Sequence, residues 1–299
     1  MNFRNFINFP LTFLRGSDFN LDSSKSELSI QTIKREPKAE AFAHKDNKLL
    51  EGKNVLITGA GRNIGRSLAI EMAKQGANIF FTEINQKLCT ELEQEVNEFG
   101  VRSRGFLSDI SKVENTDSIF SELVKNGVSV DILVNNVGIK FRGENIKYHF
   151  DLEEWQRTFN TNVFGPMYLT TLVSNTMMNR DIHGSIIFIT SLHQWTFYGI
   201  QSYSSSKAAL GMIIKELALE LAPYKIRVNG IAPGWIGVDE QGNPYHHKNT
   251  PLHNSSIDPC YIGRAAVYLA SDYFSHFTTG TVLKIDAGLS LHNHRSLSL

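Results

Sequence analysis

The 299-residue chain carries 30 Lys plus Arg against 30 Asp plus Glu, so its formal charge is +0 and no bulk field gathers nucleic acid or an anionic membrane. Cys89 and Cys260 stand in no Cys-x-x-Cys or Cys/His spacing, which argues against a disulfide scaffold and a structural zinc and makes a reducing, cytoplasmic compartment the default. No run approaches the roughly 18 consecutive apolar residues of a membrane helix, and the length suits either two domains or one large α/β unit.

Residues 1–50 are polar, charged from Asp18 onward and broken by Pro10 and Pro37, with no sustained period; they read as a poorly ordered extension. Arg4 and Arg15 among Phe3, Phe6, Phe9 and Phe13 keep organelle targeting as the alternative to a cytoplasmic location, although Pro10 interrupts the amphipathic stretch. From Lys53 short apolar runs alternate with longer stretches of helical period, the pattern of βαβ units on a parallel sheet. Val55–Thr58, Ile79–Thr82, Gly105–Ser108, Ile132–Asn135, Ser185–Thr190, Ile226–Ile231 and Thr281–Ile285 are the seven expected strands. Leu88, Leu92, Val96 and Phe99 form one helical stripe that ends at Gly100. The expected fold is α/β, a doubly wound, mostly parallel seven-stranded sheet with helices on both faces. It covers 51–290 as one domain and leaves 291–299 as a tail.

Thr58-Gly59-Ala60-Gly61-Arg62-Asn63-Ile64-Gly65 follows the first strand and runs into Leu68, Ala69, Met72 and Ala73, the buried face of a helix. Glycines placed there let backbone approach a pyrophosphate, and the helix N-terminus offers free N–H groups to it. The spacing departs from G-x-G-x-x-G and resembles instead the T-G-x-x-x-G-x-G turn of the short-chain dehydrogenases/reductases, with Asn63 in place of the middle glycine. Asn tolerates the left-handed backbone that such a turn requires. Glu83 ends the second strand, where a carboxylate can accept both hydroxyls of an adenosine ribose and repel a 2′-phosphate. At ~4 Å and an effective dielectric near 20 that repulsion is roughly 4 kcal/mol. Arg62 is the opposing cation, since the resemblance associates a basic residue there with NADP. NAD is therefore favoured, with NADP as the alternative. Ser108-Asp109, followed by Ile110, matches the family's adenine border, and Asn135-Asn136-Val137-Gly138 its N-N-A-G motif with Val137 for Ala. Asp109 read by itself is equally a helix cap.

Tyr203-Ser204-Ser205-Ser206-Lys207 opens a helix that continues through Leu210, Ile214, Leu217 and Leu221. Tyr203 and Lys207 stand at i and i+4 and share a face, so the ammonium is expected to draw the phenol's pKa down; at ~5 Å and dielectric ~20 the attraction is about 3 kcal/mol. A Tyr/Lys pair at this spacing is otherwise an ordinary surface pair. Ser191 stands twelve positions before Tyr203, one fewer than the commoner family separation. The resemblance implies Tyr203 as general acid/base, Lys207 lowering its pKa and binding the nicotinamide ribose, and Ser191 on the substrate oxygen. It further implies that Asn162, of Asn162-Val163-Phe164-Gly165, supports proton resupply, with Asn160 as the competing assignment. Arg227 to Gly234 matches the strand and P-G loop that line the nicotinamide, with Ile231 facing it through its backbone and Pro233, Gly234 and Ile236 in contact. The usual threonine is missing, since Gly237 and Val238 occupy its neighbourhood, and Asp286-Ala287-Gly288 stands in for D-G-G.

The function implied is hydride transfer between a nicotinamide cofactor and a carbonyl or secondary alcohol, with NADPH-linked reduction of 3-oxoacyl thioesters and a non-catalytic NAD(P)-binding sensor or scaffold as alternatives. The substrate is a small molecule. Ser191, His193, Tyr203 and Trp235 are its candidate contacts, the segment Trp235–Asn254 the candidate lid, and Lys140, Arg142 and Lys147 either an anion-facing group or a solvated loop. His246, His247, His253, His292 and His294 have no spacing that compels a metal, so none is expected. By analogy the chain assembles as a homotetramer or dimer through its long helices, including the one that carries Tyr203.

Overall fold

The computed structural model describes residues 48–140, 150–196, 198–239, 241–247 and 250–291. The expectations for residues 1–47, Arg142, Lys147 and the tail beyond Leu291 lie outside them. Strands β1 (Asn54–Thr58), β2 (Asn78–Glu83), β3 (Ser103–Leu107), β4 (Ile132–Asn135), β5 (Ser185–Ile189), β6 (Arg227–Pro233) and β7 (Val282–Ile285) form one seven-stranded sheet, ordered β3-β2-β1-β4-β5-β6-β7. All six pairings are parallel. The chain thus winds outward from β1 in one direction and from β4 in the other, and the reversal opens a crevice at the strands' carboxyl ends.

Helices α1 (Asn63–Lys74), α2 (Gln86–Asn97), α3 (Val113–Lys125), α4 (Leu152–Phe159), α5 (Gly165–Asn179), α6 (Gln201–Leu221), α7 (Cys260–Ala270) and α8 (Asp272–Ser275) connect the strands. Alternation along β1 divides the core: Val55 and Ile57 pack with Leu68, Met72 and Ile262 on one face, and Leu56 packs with Leu123, Leu169 and Ile214 on the other. Helices therefore cover both faces, which is why the strands are apolar at nearly every position.

The helix read from Leu88, Leu92 and Val96 is α2, capped by Asn85 Oδ1, which accepts from Leu88 N at 3.1 Å. Gly100 follows it with φ +75°, and Cys89 shares the buried side with Leu92 and Val96. The strand bounds other than those of β4 shift by one or two residues, and two differences bear on the site. β3 begins at Ser103, because its polar and half-exposed residues pair in register with Ile79–Glu83 although they carry no apolar signal. Asn162 lies in a π-helical turn, Asn160–Phe164, that joins α4 to α5.

Candidate active site

The glycine turn takes its shape from side chains that are absent. A Cβ on Gly65 would collide with the Gly59 carbonyl, so α1 approaches the turn as closely as it does only with glycine there. A Cβ on Gly61 would meet the Glu83 carboxylate. Asn63 adopts φ 49°, the left-handed conformation its replacement of glycine demands, and opens α1. Thr58 then ties the turn to β4: its hydroxyl accepts from Asn136 N at 3.0 Å and Val137 N at 3.1 Å, while Asn136 Nδ2 donates to the Thr58 and Gly59 carbonyls, each at 2.9 Å. The Asn-Asn-Val-Gly run is thus a clamp across the switch point as well as cavity wall, and Val137 occupies space that a Cβ on Gly59 would need.

Glu83 is buried, 8% exposed, and both its oxygens are engaged by backbone. Gly61 N donates to Oε2 at 2.9 Å, and Ile84 N and Asn85 N donate to Oε1 at 2.9 and 3.1 Å. Arg62, by contrast, is exposed. Asp109 serves as the turn former its bland reading describes, accepting from Ser111 N at 3.0 Å and Ser111 Oγ at 2.7 Å, while also lining the cavity.

On the other side of the crevice α6 presents Tyr203 and Lys207. The Tyr203 hydroxyl is hydrogen-bonded with Ser191, which ends the segment after β5. Lys207 is 2% exposed; its Nζ donates to the Ile189 carbonyl at 2.9 Å and lies 5.6 Å from the Tyr203 ring centroid. Burial pulls its pKa down to about 8. The phenol departs from expectation here: burial raises its pKa, with the Ser191 hydrogen bond acting the other way. Lys207 sits over the ring rather than at the hydroxyl, so desolvation outweighs its attraction in the protein alone.

Asn162 is fully buried behind this wall, and its Oδ1 accepts from Ile139 N at 2.8 Å. Its Nδ2 donates to the Ile139 carbonyl at 2.9 Å and to Ser206 Oγ at 3.0 Å. It pins the chain after Gly138 to α6, whereas Asn160 is exposed.

A cavity of about 620 Å³ joins the two sides. Gly59, Arg62, Asn63, Ile64, Gly65, Glu83, Asp109, Ile110, Asn136, Val137, Gly138, Pro233, Gly234 and Ile236 line it together with Ser191, Tyr203, Lys207 and Trp235. Three expectations fall outside the lining. Asn162 stands behind it. His193 packs its ring against Tyr203 at 4.9 Å and Tyr198 at 4.5 Å and shares a 2.8 Å hydrogen bond with Ser204 Oγ. Ile231 belongs to the core, and its carbonyl accepts from Thr190 N at 2.7 Å instead of facing the cavity. Thr82, Ser111, Lys140, Arg157, Thr161 and Thr190 also line it. The sequence points to Lys140, and to Thr190 as the alternative to Ser191; for Thr82 and Ser111 the signal is position beside strand carboxyl ends, where such folds bind ligands, whereas Arg157 and Thr161 come from α4 and the π turn.

The segment read as a lid is ordered by short bridges, Ile236 to Ile257, Val238 to Pro244 and His246 to Ser255, and Trp235 stacks on His247 at 4.9 Å. Among the described residues no group of three or more His, Cys, Asp or Glu is placed to hold a metal, and no helix is long and apolar enough to cross a membrane.

A family model described as enoyl-(acyl carrier protein) reductase matches residues 59–290. The chain is 36% identical over 251 residues to the 2-dehydro-3-deoxy-D-gluconate 5-dehydrogenase of Bacillus subtilis, covering 80% of this chain and 95% of the relative. Among solved structures it resembles a 7 alpha-hydroxysteroid dehydrogenase complexed with NADH and 7-oxo glycochenodeoxycholic acid, with TM-score 0.73, 30% identity and coverage of 82% of this chain and 97% of that one. It resembles equally a gluconate 5-dehydrogenase from Burkholderia cenocepacia in complex with NADP and tartrate, with TM-score 0.73, 29% identity and coverage of 82% and 98%. With a seven-stranded parallel sheet, a glycine turn at its switch point and these relatives, the chain belongs to the short-chain dehydrogenase/reductase family and is an oxidoreductase that moves hydride between a nicotinamide cofactor and a carbonyl or alcohol carbon.

Proposed function

We propose that Tyr203 is the general acid/base of this hydride transfer and that NAD(H) is the cofactor. The observation that supports both is a single cavity with Glu83 on one wall and the Tyr203 hydroxyl, bonded with Ser191, on the other. The residues present fit a dinucleotide, because Gly59, Arg62, Asn63, Ile64 and Gly65 line the cavity where α1 begins, and glycine at 61 and 65 lets the turn pack closely enough to bring that helix N-terminus there. Gly59 to Gly65 would hold the pyrophosphate, Glu83 the adenosine ribose, Asp109 and Ile110 the adenine side, and Lys207, Pro233, Gly234 and Ile236 the nicotinamide half. When bound, the nicotinamide supplies or accepts the hydride.

The chain's own groups handle the proton. Burial keeps Tyr203 protonated, the form that donates to a carbonyl oxygen during reduction. Ser191 offers a hydroxyl to the same oxygen as charge develops on it. Oxidation needs the phenolate, and Lys207 is the cation beside the ring that favours it. Asn162 fixes Ile139 and Ser206 around Lys207 and supports proton resupply along that path.

Tyr203→Phe is expected to lower kcat by 10²–10⁴-fold while NADH affinity stays within about threefold, since the ring remains. Stopped-flow rates and a fluorescence titration measure both, and wild-type turnover in the variant would refute the assignment. For the cofactor, three backbone N–H groups hold the Glu83 carboxylate at the ribose wall, whereas Arg62 is exposed and free to swing. NADH should therefore bind at least tenfold more tightly than NADPH. The thioester-reductase reading rests on Arg62 and would prevail if NADPH bound the tighter.

A further inference from the structure

From β4 onward the cavity lining changes character. Its two carboxylates, Glu83 and Asp109, both stand on the β1–β3 side, Glu83 held by three backbone N–H groups and Asp109 accepting from the N–H and hydroxyl of Ser111. Beyond β4 the described lining contains Lys140, Arg157 and Lys207 and no carboxylate. Lys207 is buried against the Ile189 carbonyl, while Lys140 and Arg157 are exposed, and Lys140, next to the pinned Ile139 peptide, can reach outward to a ligand. Asn162 fixes that peptide from both of its polar groups and ties it through Ser206 to the helix that carries Tyr203. The residue that precedes Lys140 is therefore tied to the helix that carries Tyr203.

We propose that Lys140 selects a substrate bearing an anionic group, a carboxylate or a phosphate ester, a few bonds from the carbinol or carbonyl carbon that reacts at Tyr203. This rests on the acid/base reading of Tyr203 given above. The field of Lys140 does reach the catalytic wall: His193, whose ring abuts Tyr203, is brought down to about 4 by burial first and by Lys140 and Lys207 after it. Among the described residues of this wall no carboxylate competes for the positive charge of Lys140. An exposed ammonium also makes the selection sensitive to salt.

Initial rates on D-gluconate, sorbitol 6-phosphate and uncharged sorbitol, each with saturating NAD or NADP, test the inference in the wild type, Lys140→Gln and Lys140→Arg. One anionic compound is expected to exceed sorbitol in kcat/KM by tenfold or more. Lys140→Gln should erase at least tenfold of that ratio, mainly through KM, and Lys140→Arg should keep most of it. Raising ionic strength should erode the ratio in the wild type and leave it unchanged in Lys140→Gln. Preference for gluconate identifies the carboxylate, and preference for the phosphate identifies the ester. Equal use of charged and uncharged polyols, or a Lys140→Gln variant with the wild-type ratio, overturns the proposal. If none of the three turns over, calorimetric titration of the same compounds onto the NADH-saturated protein decides: anion binding lost in Lys140→Gln supports it, and binding that is absent or undiminished overturns it. Tyr203→Phe turning over at the wild-type rate would sink the acid/base reading separately, because charge selection is read from ratios between substrates.

Discussion

Lys207 holds a buried ammonium that donates to the Ile189 carbonyl. The sign of the consequence follows from its pKa, about 8 in the fold against an ordinary 10.5. Between those values the unfolded chain holds a proton that the folded chain has released, so stability rises with pH across that window. Below pH 8 the whole penalty is present, and the gap from 10.5 to about 8 amounts to roughly 3 kcal/mol. Lys207→Met should flatten the rise. Urea denaturation of the cofactor-free protein at pH 7 and pH 10 checks this, and a wild-type slope preserved in the variant would show that the lysine is not its source. His193 acts at the other end of the scale. Its pKa of about 4, below the ordinary 6.5, makes stability fall as pH drops from 6.5 toward 4, because the unfolded chain takes up the proton first. His193→Gln should make that acid limb shallower.

Asn63 and Ala287 are two places where the chain puts another residue at a family glycine, and both carry left-handed backbone, φ 49° and 50°. Asn adopts this conformation readily and Ala does not, so the two substitutions differ in consequence. Ala287→Gly should stabilise the protein by about 1 kcal/mol, the relief at a positive φ exceeding the extra freedom of glycine in the unfolded chain. Asn63→Gly should be nearly neutral, whereas Asn63→Ala should destabilise by about 1 kcal/mol. Chemical denaturation of the three variants checks the set; Ala287→Gly melting at or below the wild type would contradict the argument. These positions also show how far sequence reaches. That Tyr203, Lys207 and Ser191 share a cavity with the glycine turn was legible through the family resemblance, since a Tyr/Lys pair at this spacing is by itself an ordinary surface pair. The π turn at Asn160–Phe164 was not, since local periodicity carries no mark of one extra residue in a turn. Ile231 was misplaced because a buried strand alternates between two apolar cores, and only the three-dimensional partner, Thr190, shows which way its carbonyl points. The phenol pKa, expected to fall, is raised for a related reason: i, i+4 spacing brings the ammonium near the ring, while burial is set by elements distant in sequence.

The sheet is covered on both faces, yet the outer surface of the layer that carries Tyr203 exposes large apolar side chains beside the charged Lys215 and Glu216. Met212 and Leu219 on α6 are 56% and 78% exposed, and Phe164, at the end of the adjoining π turn, is 60% exposed. On α6 Met212 and Leu219 are seven residues apart, two helical turns along one outward stripe. Large apolar side chains aligned this way on a chain of +0 formal charge favour association over solvation. A second copy of the chain, related by a twofold axis, would bury the stripe against itself. Light scattering coupled to size-exclusion chromatography should then find a dimer or tetramer at micromolar concentration, and Met212→Asp with Leu219→Asp should shift it toward monomer. Because α6 also positions Tyr203 and Lys207, dissociation should lower kcat along with size, and activity should return in part as protein concentration is raised. A wild-type protein that is monomeric throughout that range, or a double variant of unchanged mass, would show that the stripe is not an interface.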